Sequence, residues 1–229
     1  LNHVLNLDGV EFDGSSLRIG AMTRQKHLET NELIATHAPM LAESASRVGD
    51  VQVRNRGTVG GRICHADPAA DLLPVLAVSR AEVVLASSDG NRTMDVDEFL
   101  IDIMFTAREP NELLTTVIIP EEPSTSGSAY IRFARVEGSF AIVNAAARID
   151  EGFTSTRVAI GGVGPKPVTI DVTDIFNSGI SPDGLSELTA RAYEAAELAT
   201  GDIHSDAEYV RNMAGVFSRR AVELAATRL

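Results

Sequence analysis

The stretch Arg54-Asn55-Arg56-Gly57-Thr58-Val59-Gly60-Gly61-Arg62-Ile63-Cys64-His65-Ala66-Asp67-Pro68-Ala69-Ala70-Asp71 gathers the densest set of chemistry-bearing residues in the chain. Paired glycines let successive backbone amides converge on an anion with no side chain in the way, and the Thr58 hydroxyl adds a donor. A loop can grip a pyrophosphate in this manner. The same pair also suits a plain tight turn. The spacing matches neither Gly-x-x-x-x-Gly-Lys-Ser/Thr nor Gly-x-Gly-x-x-Gly, so the mechanics of those motifs do not transfer. Cys64, His65 and Asp67 are metal-ligating types, but zinc sites use paired cysteines or histidines at recurrent spacings, and no metal is expected. Asp67 and Asp71 are candidates for acid/base partners, for turn or cap residues, or for acceptors of a sugar or ribityl hydroxyl. Ser124, Ser126 and Ser128 have no histidine near them in sequence, so nothing supports a hydrolase triad, and no catalytic residue is assigned.

The elements that must position this stretch follow from periodicity and turn chemistry. Residues 16–22 read as a short strand after the turn Asp13-Gly14. Residues 23–47 carry helix formers with apolar side chains at Leu33, Ile34, Met40 and Leu41, and Pro39 predicts a division into two helices. Residues 49–71, rich in Gly, Asn, Asp and Pro, are expected to form one long functional loop. A buried segment follows at 72–78. Residues 81–86 and 92–96 flank Ser87-Ser88-Asp89-Gly90-Asn91, a hairpin signature, and 112–119 predicts a strand ended by Pro120.

Residues 121–128 have linker composition, which divides the chain into domains at 1–122 and 123–229. Beyond the linker lie strand candidates at 129–134, 141–149 and 154–163, then two helices. Ser181-Pro182 marks one helix start, and Ser205-Asp206-Ala207-Glu208 reads as a capping box at the other. Val210, Met213, Ala214, Phe217, Ala221 and Leu224 form the apolar stripe of the last helix.

Composition narrows the functional classes. With 229 residues, 44% hydrophobic and 23% charged, the chain can bury one or two cores, which excludes a disordered tail or a fibre. No apolar run approaches the roughly 20 residues of a membrane-spanning helix. A net charge of −12, spread along the length, argues against nucleic acid or an anionic membrane as partner. The single cysteine excludes an internal disulfide, and with no secretory leader in view the expected compartment is the cytoplasm. The first residue is Leu1 and not methionine, so the sequence is expected to be a piece of a longer one.

The run Gly57-Thr58-Val59-Gly60-Gly61-Arg62, followed by His65-Ala66-Asp67-Pro68-Ala69-Ala70-Asp71, resembles the second flavin-binding motif of a known family. That family is the FAD-carrying medium subunits of molybdenum hydroxylases, the carbon monoxide dehydrogenase and xanthine dehydrogenase group. Further similarities fall in order along nearly the whole chain. They are Leu17 through Thr23, Glu109-Pro110-Asn111-Glu112-Leu113-Leu114, Ile118-Ile119-Pro120, Tyr130 through Arg135, Phe140-Ala141-Ile142-Val143, Gly161-Gly162-Val163-Gly164 and Arg219-Arg220-Ala221.

The resemblance implies an α+β fold. Its first part is the second lobe of a vanillyl-alcohol-oxidase-like (PCMH-type) FAD-binding domain, in which FAD lies between two α/β lobes, and a small α+β C-terminal domain follows. It implies that Thr58, Val59, Gly60, Gly61 and Arg62 contact the FAD pyrophosphate and ribityl region, and that Asp71 accepts a hydrogen bond from the cofactor. Val48 and Leu114 would line the cofactor, and Arg132 would sit near the isoalloxazine. The family commonly has Asn or Ser at the position of Arg62 and often Lys at that of Arg132. A guanidinium reproduces neither an amide donor-acceptor pair nor a compact ammonium, so backbone roles carry over and these two side-chain roles stay open. The family's Ala-Gly-Gly-x-Ser-Leu loop, which holds the other side of the FAD phosphates from a first lobe, has no counterpart in these residues. The expectation is a longer subunit, the alternative a replacement by another segment.

In this family a molybdenum cofactor oxidises the substrate, iron-sulfur clusters relay electrons, and FAD passes them to an acceptor. A cluster takes about four cysteines, and this chain has only Cys64, so the clusters are expected on a partner. The implied partners are an iron-sulfur small subunit and a molybdenum-binding large subunit, assembled as a dimer of heterotrimers. Arg132 and Arg135 are candidates for tuning the flavin potential, or else surface arginines on a strand. Two alternatives stand beside the electron-transfer reading: an assembly subunit without FAD, and a nucleotide-binding module built on Gly60-Gly61 alone.

Overall fold

The computed structural model describes residues 1, 4, 6–201 and 205–229. The chain starts with β1 (Val10–Phe12) and β2 (Ser16–Gly20), a hairpin turned at Asp13, whose carboxylate accepts the Ser15 and Ser16 backbone N–H groups at 3.0 and 2.9 Å. Leu17 and Ile19 alternate into the core. Three helices follow where two were expected: α1 (Gln25–Thr30), α2 (Glu32–His37) and α3 (Pro39–Ser46). The extra break is Asn31, whose side chain caps α2 by accepting the Ile34 N–H at 3.2 Å, while Pro39 opens α3 as its pre-set φ favours.

The long loop expected at 49–71 is instead largely helical, as α4 (Val51–Arg56) and α5 (Val59–His65). Asp50 caps α4 by accepting the Val53 N–H at 2.8 Å, and Thr58 caps α5 by accepting the Gly61 N–H at 3.1 Å. Residue types that read as loop composition here serve as caps and breaks. Next come α6 (Leu72–Val78), buried throughout, the hairpin β3 (Glu82–Ser87) and β4 (Gly90–Asp95), then α7 (Val96–Phe99), β5 (Leu100–Asp102), β6 (Phe105–Thr106) and β7 (Leu113–Pro120). Among the described residues these strands form an antiparallel sheet in the order β1-β2-β7-β3-β4, with β5 and β6 as a separate ribbon.

The second sheet holds β8 (Gly127–Phe133), β9 (Val143–Ile149), β10 (Thr156–Gly161) and β11 (Val168–Asp171), in the order β11-β10-β9-β8. The strand candidates become these four, β11 being additional, and β9 starts at Val143, after residue 141. Three helices close the chain: α8 (Thr173–Phe176), α9 (Pro182–Ala195) and α10 (Ala207–Ala226). Ser181 caps α9 as expected, accepting the Gly184 N–H at 3.0 Å. The cap of α10 is Asp206 and not Ser205: its carboxylate accepts the Tyr209 N–H at 2.7 Å, one residue later than the capping box predicts.

One face of the second sheet packs on α9 and α10 through Ala145, Ala147, Val158 and Ile160, while Tyr130, Ala146 and Ala159 on the other join the core around α6. Covered on both faces, β9 is alanine-rich and shows no polar alternation. Among the described residues no helix is long and apolar enough to cross a membrane.

A surface pair ties the edge hairpin to β7 and gives a pH signature. Arg92 reaches Glu112 in two places, Nε to Oε1 at 2.6 Å and Nη2 to Oε2 at 2.8 Å, and the Glu109 backbone N–H donates to the same carboxylate at 2.7 Å. Arg92 first, then the Glu109 amide, holds the Glu112 carboxyl down at about 2. The folded chain therefore gives up this proton more readily than the unfolded one. The contact stabilises above the ordinary 4.5 and is lost as pH falls toward about 2. Glu112→Gln is expected to flatten that acid limb of Tm in calorimetry; an unchanged limb would contradict it.

Candidate functional site

The first turn of α5 is stitched to the end of β2. Val59 N–H donates to the Thr23 carbonyl at 3.0 Å, Gly60 N–H to Ala21 at 2.9 Å, and Arg62 N–H to Thr58 at 3.0 Å, while Gly61 N–H is taken by the Thr58 hydroxyl. This corrects the idea of amides converging on an anion: all four already have partners, because the segment folds as a capped helix. The two glycines answer different needs. A Cβ at Gly60 would lie 2.6 Å from the Ala21 Cβ and 2.9 Å from its carbonyl oxygen, so only glycine lets α5 approach β2. Gly61 is exposed, and a Cβ there would meet only the Thr58 Oγ1, at 2.8 Å.

A second cluster forms where β8 meets the start of α6. Asp71 is 4% exposed, and its Oδ1 accepts the Tyr130 hydroxyl at 2.6 Å and lies 3.3 Å from the Arg132 Nε. Arg132 also donates to the backbone carbonyls of Arg47, at 2.6 Å, and of Ser139. Burial pushes the Asp71 carboxyl above the usual carboxylate range, and Tyr130, Arg132 and Arg62 pull against it. Burial, and then the Asp71 carboxylate, push the Tyr130 phenol well up. Arg62 extends over the Phe140 ring, 5.5 Å from its centroid. Arg62 and Arg132, from the two parts of the chain, thus meet at Ser139-Phe140, and Arg132 alone reaches Asp71.

The expected site residues accordingly fall into three places. Thr58 through Arg62 share one helical turn; Asp71 and Arg132 share one buried network; Val48 and Leu114, 2% and 3% exposed, are core residues that reach no open surface. Tyr130 and Phe140 were not singled out as site residues by sequence reasoning. Tyr130 had a signal, since it stands two residues before Arg132 on β8 and so shares its face. Asp67 acts as a turn residue, its Oδ1 accepting the Ala69 N–H at 2.9 Å. Burial pushes the Cys64 thiol up, away from thiolate chemistry. Among the described residues no three His, Cys, Asp or Glu side chains are grouped to hold a metal.

Beside these clusters lies an open cavity of about 740 Å³, lined among others by Asp67, Ala69, Ile103, Arg135, Val136 and Phe140. Its size and mixed lining are those of a site for a sizeable organic ligand. Bare Gly61, the Thr58 hydroxyl, whose own hydrogen has no acceptor among the described residues, and the Arg62 guanidinium together form a donor set that suits a diphosphate passing close to the helix. The residues present therefore fit one side of an FAD cradle, through side chains and a bare glycine, not through backbone amides.

Residues 1–122 match the family model described as the FAD binding domain in molybdopterin dehydrogenase, and residues 128–225 that of the CO dehydrogenase flavoprotein C-terminal domain. The nicotine 6-hydroxylase medium subunit of Paenarthrobacter nicotinovorans is 31% identical, the match covering 100% of this chain and 81% of the relative. Among solved structures, the carbon monoxide dehydrogenase of Hydrogenophaga pseudoflava that lacks the Mo-pyranopterin moiety superposes with a TM-score of 0.93 at 30% identity, over 100% of this chain and 81% of that one. Quinoline 2-oxidoreductase from Pseudomonas putida 86 gives a TM-score of 0.89, also at 30% identity, over 99% of this chain and 80% of that one.

Proposed function

We propose a function from one premise: this chain belongs to the FAD-binding medium subunits of the molybdenum hydroxylases. The function is to carry FAD and pass electrons from iron-sulfur clusters on a partner chain to an acceptor. Its partners are an iron-sulfur small subunit and a molybdenum-binding large subunit, in a dimer of heterotrimers located in the cytoplasm. Residues 1–122 form the flavin-binding part and 123–229 the C-terminal domain. The observation that carries this reading is the meeting of Arg62 and Arg132 at Ser139-Phe140, with Arg132 held by Asp71, beside a ligand-sized cavity.

Bound FAD supplies the capacity to take up electrons and release them to an acceptor. This chain's residues hold and orient it. The Thr58 hydroxyl donates to the diphosphate, Gly61 allows close approach, and Arg62 offsets the phosphate charge. Asp71, gripped by Tyr130, fixes Arg132 so that its cation raises the potential of the ring system beside it. Val48 and Leu114 act from the core, by shaping the backbone around Arg47 and β7. The Ala-Gly-Gly-x-Ser-Leu loop is not among these residues, so they account for one side of the cradle.

Pulse radiolysis of the co-purified, FAD-loaded complex tests the electron-transfer step without knowledge of its substrate. The expected result is a concentration-independent phase in which cluster absorbance recovers as flavin absorbance falls. That phase should vanish when FAD is stripped and return when FAD is added back. Clusters and flavin that respond independently would overturn the proposal.

A further inference from the structure

At the end of α6 opposite Asp71, the two parts of the chain border an open cavity of about 270 Å³ with a mixed polar and apolar lining. One wall is basic. Arg157, on β10, is 7% exposed, and its Nε is buried without a hydrogen-bond partner. Among the described residues no carboxylate stands within ion-pair distance of Arg157 or of Arg80, the second cation of this wall. Thr169, on β11, adds a hydroxyl that is also buried and unpartnered. The facing wall, where β4 runs into α7, carries Asp95, Asp97 and Glu98.

An unpaired buried guanidinium is strongly disfavoured, and a group of this kind calls for an unseen partner. Arg148 sharpens the need: it lies directly across the ladder from Arg157, but has its own partner in Asp150 at 2.8 Å. Burial, then Arg80 and Arg148, press the Arg157 guanidinium down to about 10, against the smaller opposing pull of Asp150 and Asp171, neither of which comes within ion-pair distance of it. Two guanidinium groups and a hydroxyl form an oxyanion-binding set. Across the cavity, the carboxylates repel a second anionic group and accept hydrogen bonds from hydroxyls. The volume is too small for a dinucleotide, since ligand pockets run from roughly 300 to 1,000 Å³.

We propose that this cavity binds a small phosphate monoester. Its phosphate rests on Arg80, Arg157 and Thr169, and the hydroxyls of its carbon chain face Asp95, Asp97 and Glu98. The site is separate from the flavin-binding face and does not depend on the function assigned to it.

Calorimetric titration of the FAD-loaded, co-purified complex with glycerol 3-phosphate and with inorganic phosphate tests this. The expected result is saturable binding of both, with the monoester at least tenfold tighter. Arg80→Gln, at an exposed side chain, should weaken the monoester at least tenfold while FAD content and Tm stay unchanged. Arg157→Gln should abolish binding and, in phosphate-free buffer, leave Tm equal or higher, because it removes a buried unpaired charge. Equal affinity for the free ion would overturn the monoester assignment. Absence of saturable binding, or full binding by Arg80→Gln, would overturn the site.

Discussion

Gly60→Val, co-expressed with its partner subunits, should yield a chain without FAD and with a Tm lower by roughly 10 °C. The valine Cβ would stand 2.6 Å from the Ala21 Cβ and 2.9 Å from its carbonyl oxygen, where backbone must move and not just a side chain. Overpacking costs about 1–3 kcal/mol. Displacing α5 also breaks the Gly60-to-Ala21 and Val59-to-Thr23 hydrogen bonds, at about 1 kcal/mol each. Gly61→Ala is the informative contrast. Its Cβ would meet only the Thr58 Oγ1, which can rotate aside, so loss of a cap worth about 1 kcal/mol is offset by about 1 kcal/mol from replacing glycine within a helix. Released FAD per chain should fall for both variants, whereas Tm should fall only for Gly60→Val. Full FAD occupancy in Gly61→Ala would contradict a cofactor resting on this turn.

Asp71→Ala should be the second large effect. It leaves the part-buried Arg132 without its counter-charge and the buried Tyr130 hydroxyl without its Asp71 acceptor. Breaking a buried pair costs about 3–5 kcal/mol; Arg132 keeps two backbone carbonyl partners, at Arg47 and Ser139, which places the loss near the lower figure. Asp71→Asn preserves an acceptor for Tyr130 and should lose less. The two also differ in pH behaviour from the parent. Burial raises the Asp71 carboxyl above its ordinary 3.8, so the folded chain holds this proton more firmly than the unfolded one. That contribution stabilises at low pH and is lost as pH rises through the window between 3.8 and the raised folded value. Calorimetry across this window should show a flatter Tm profile for Asp71→Asn, and a profile identical to the parent would contradict the assignment.

Legibility followed how local each determinant is. The β2 strand, the β3-β4 hairpin, β7 and the start of α9 rest on alternation, turn residues and caps within a few positions, and they form as expected. The segment at 49–71 was misread because Asp50, Gly57 and Thr58 are as suited to capping and breaking short helices as to a loop. The choice is made by contacts with Ala21 and Thr23, far away in sequence. Of the site, the Thr58–Arg62 turn was visible as a motif, but its amides proved to belong to the fold. The grip of Tyr130 on Asp71 spans 59 positions and exists only because the second sheet packs on α6; neither residue type nor spacing encodes it. The four-residue strand β11 lies at a sheet edge, where little burial pattern marks it.

The central claim is that this chain holds FAD within its own complex, and the most direct measurement is the cofactor released from that complex. The chain, purified intact with its co-expressed iron-sulfur and molybdenum subunits, should show a flavin absorption spectrum and release FAD in a one-to-one ratio to the chain after denaturation. A folded, fully assembled complex that releases no flavin would contradict the account.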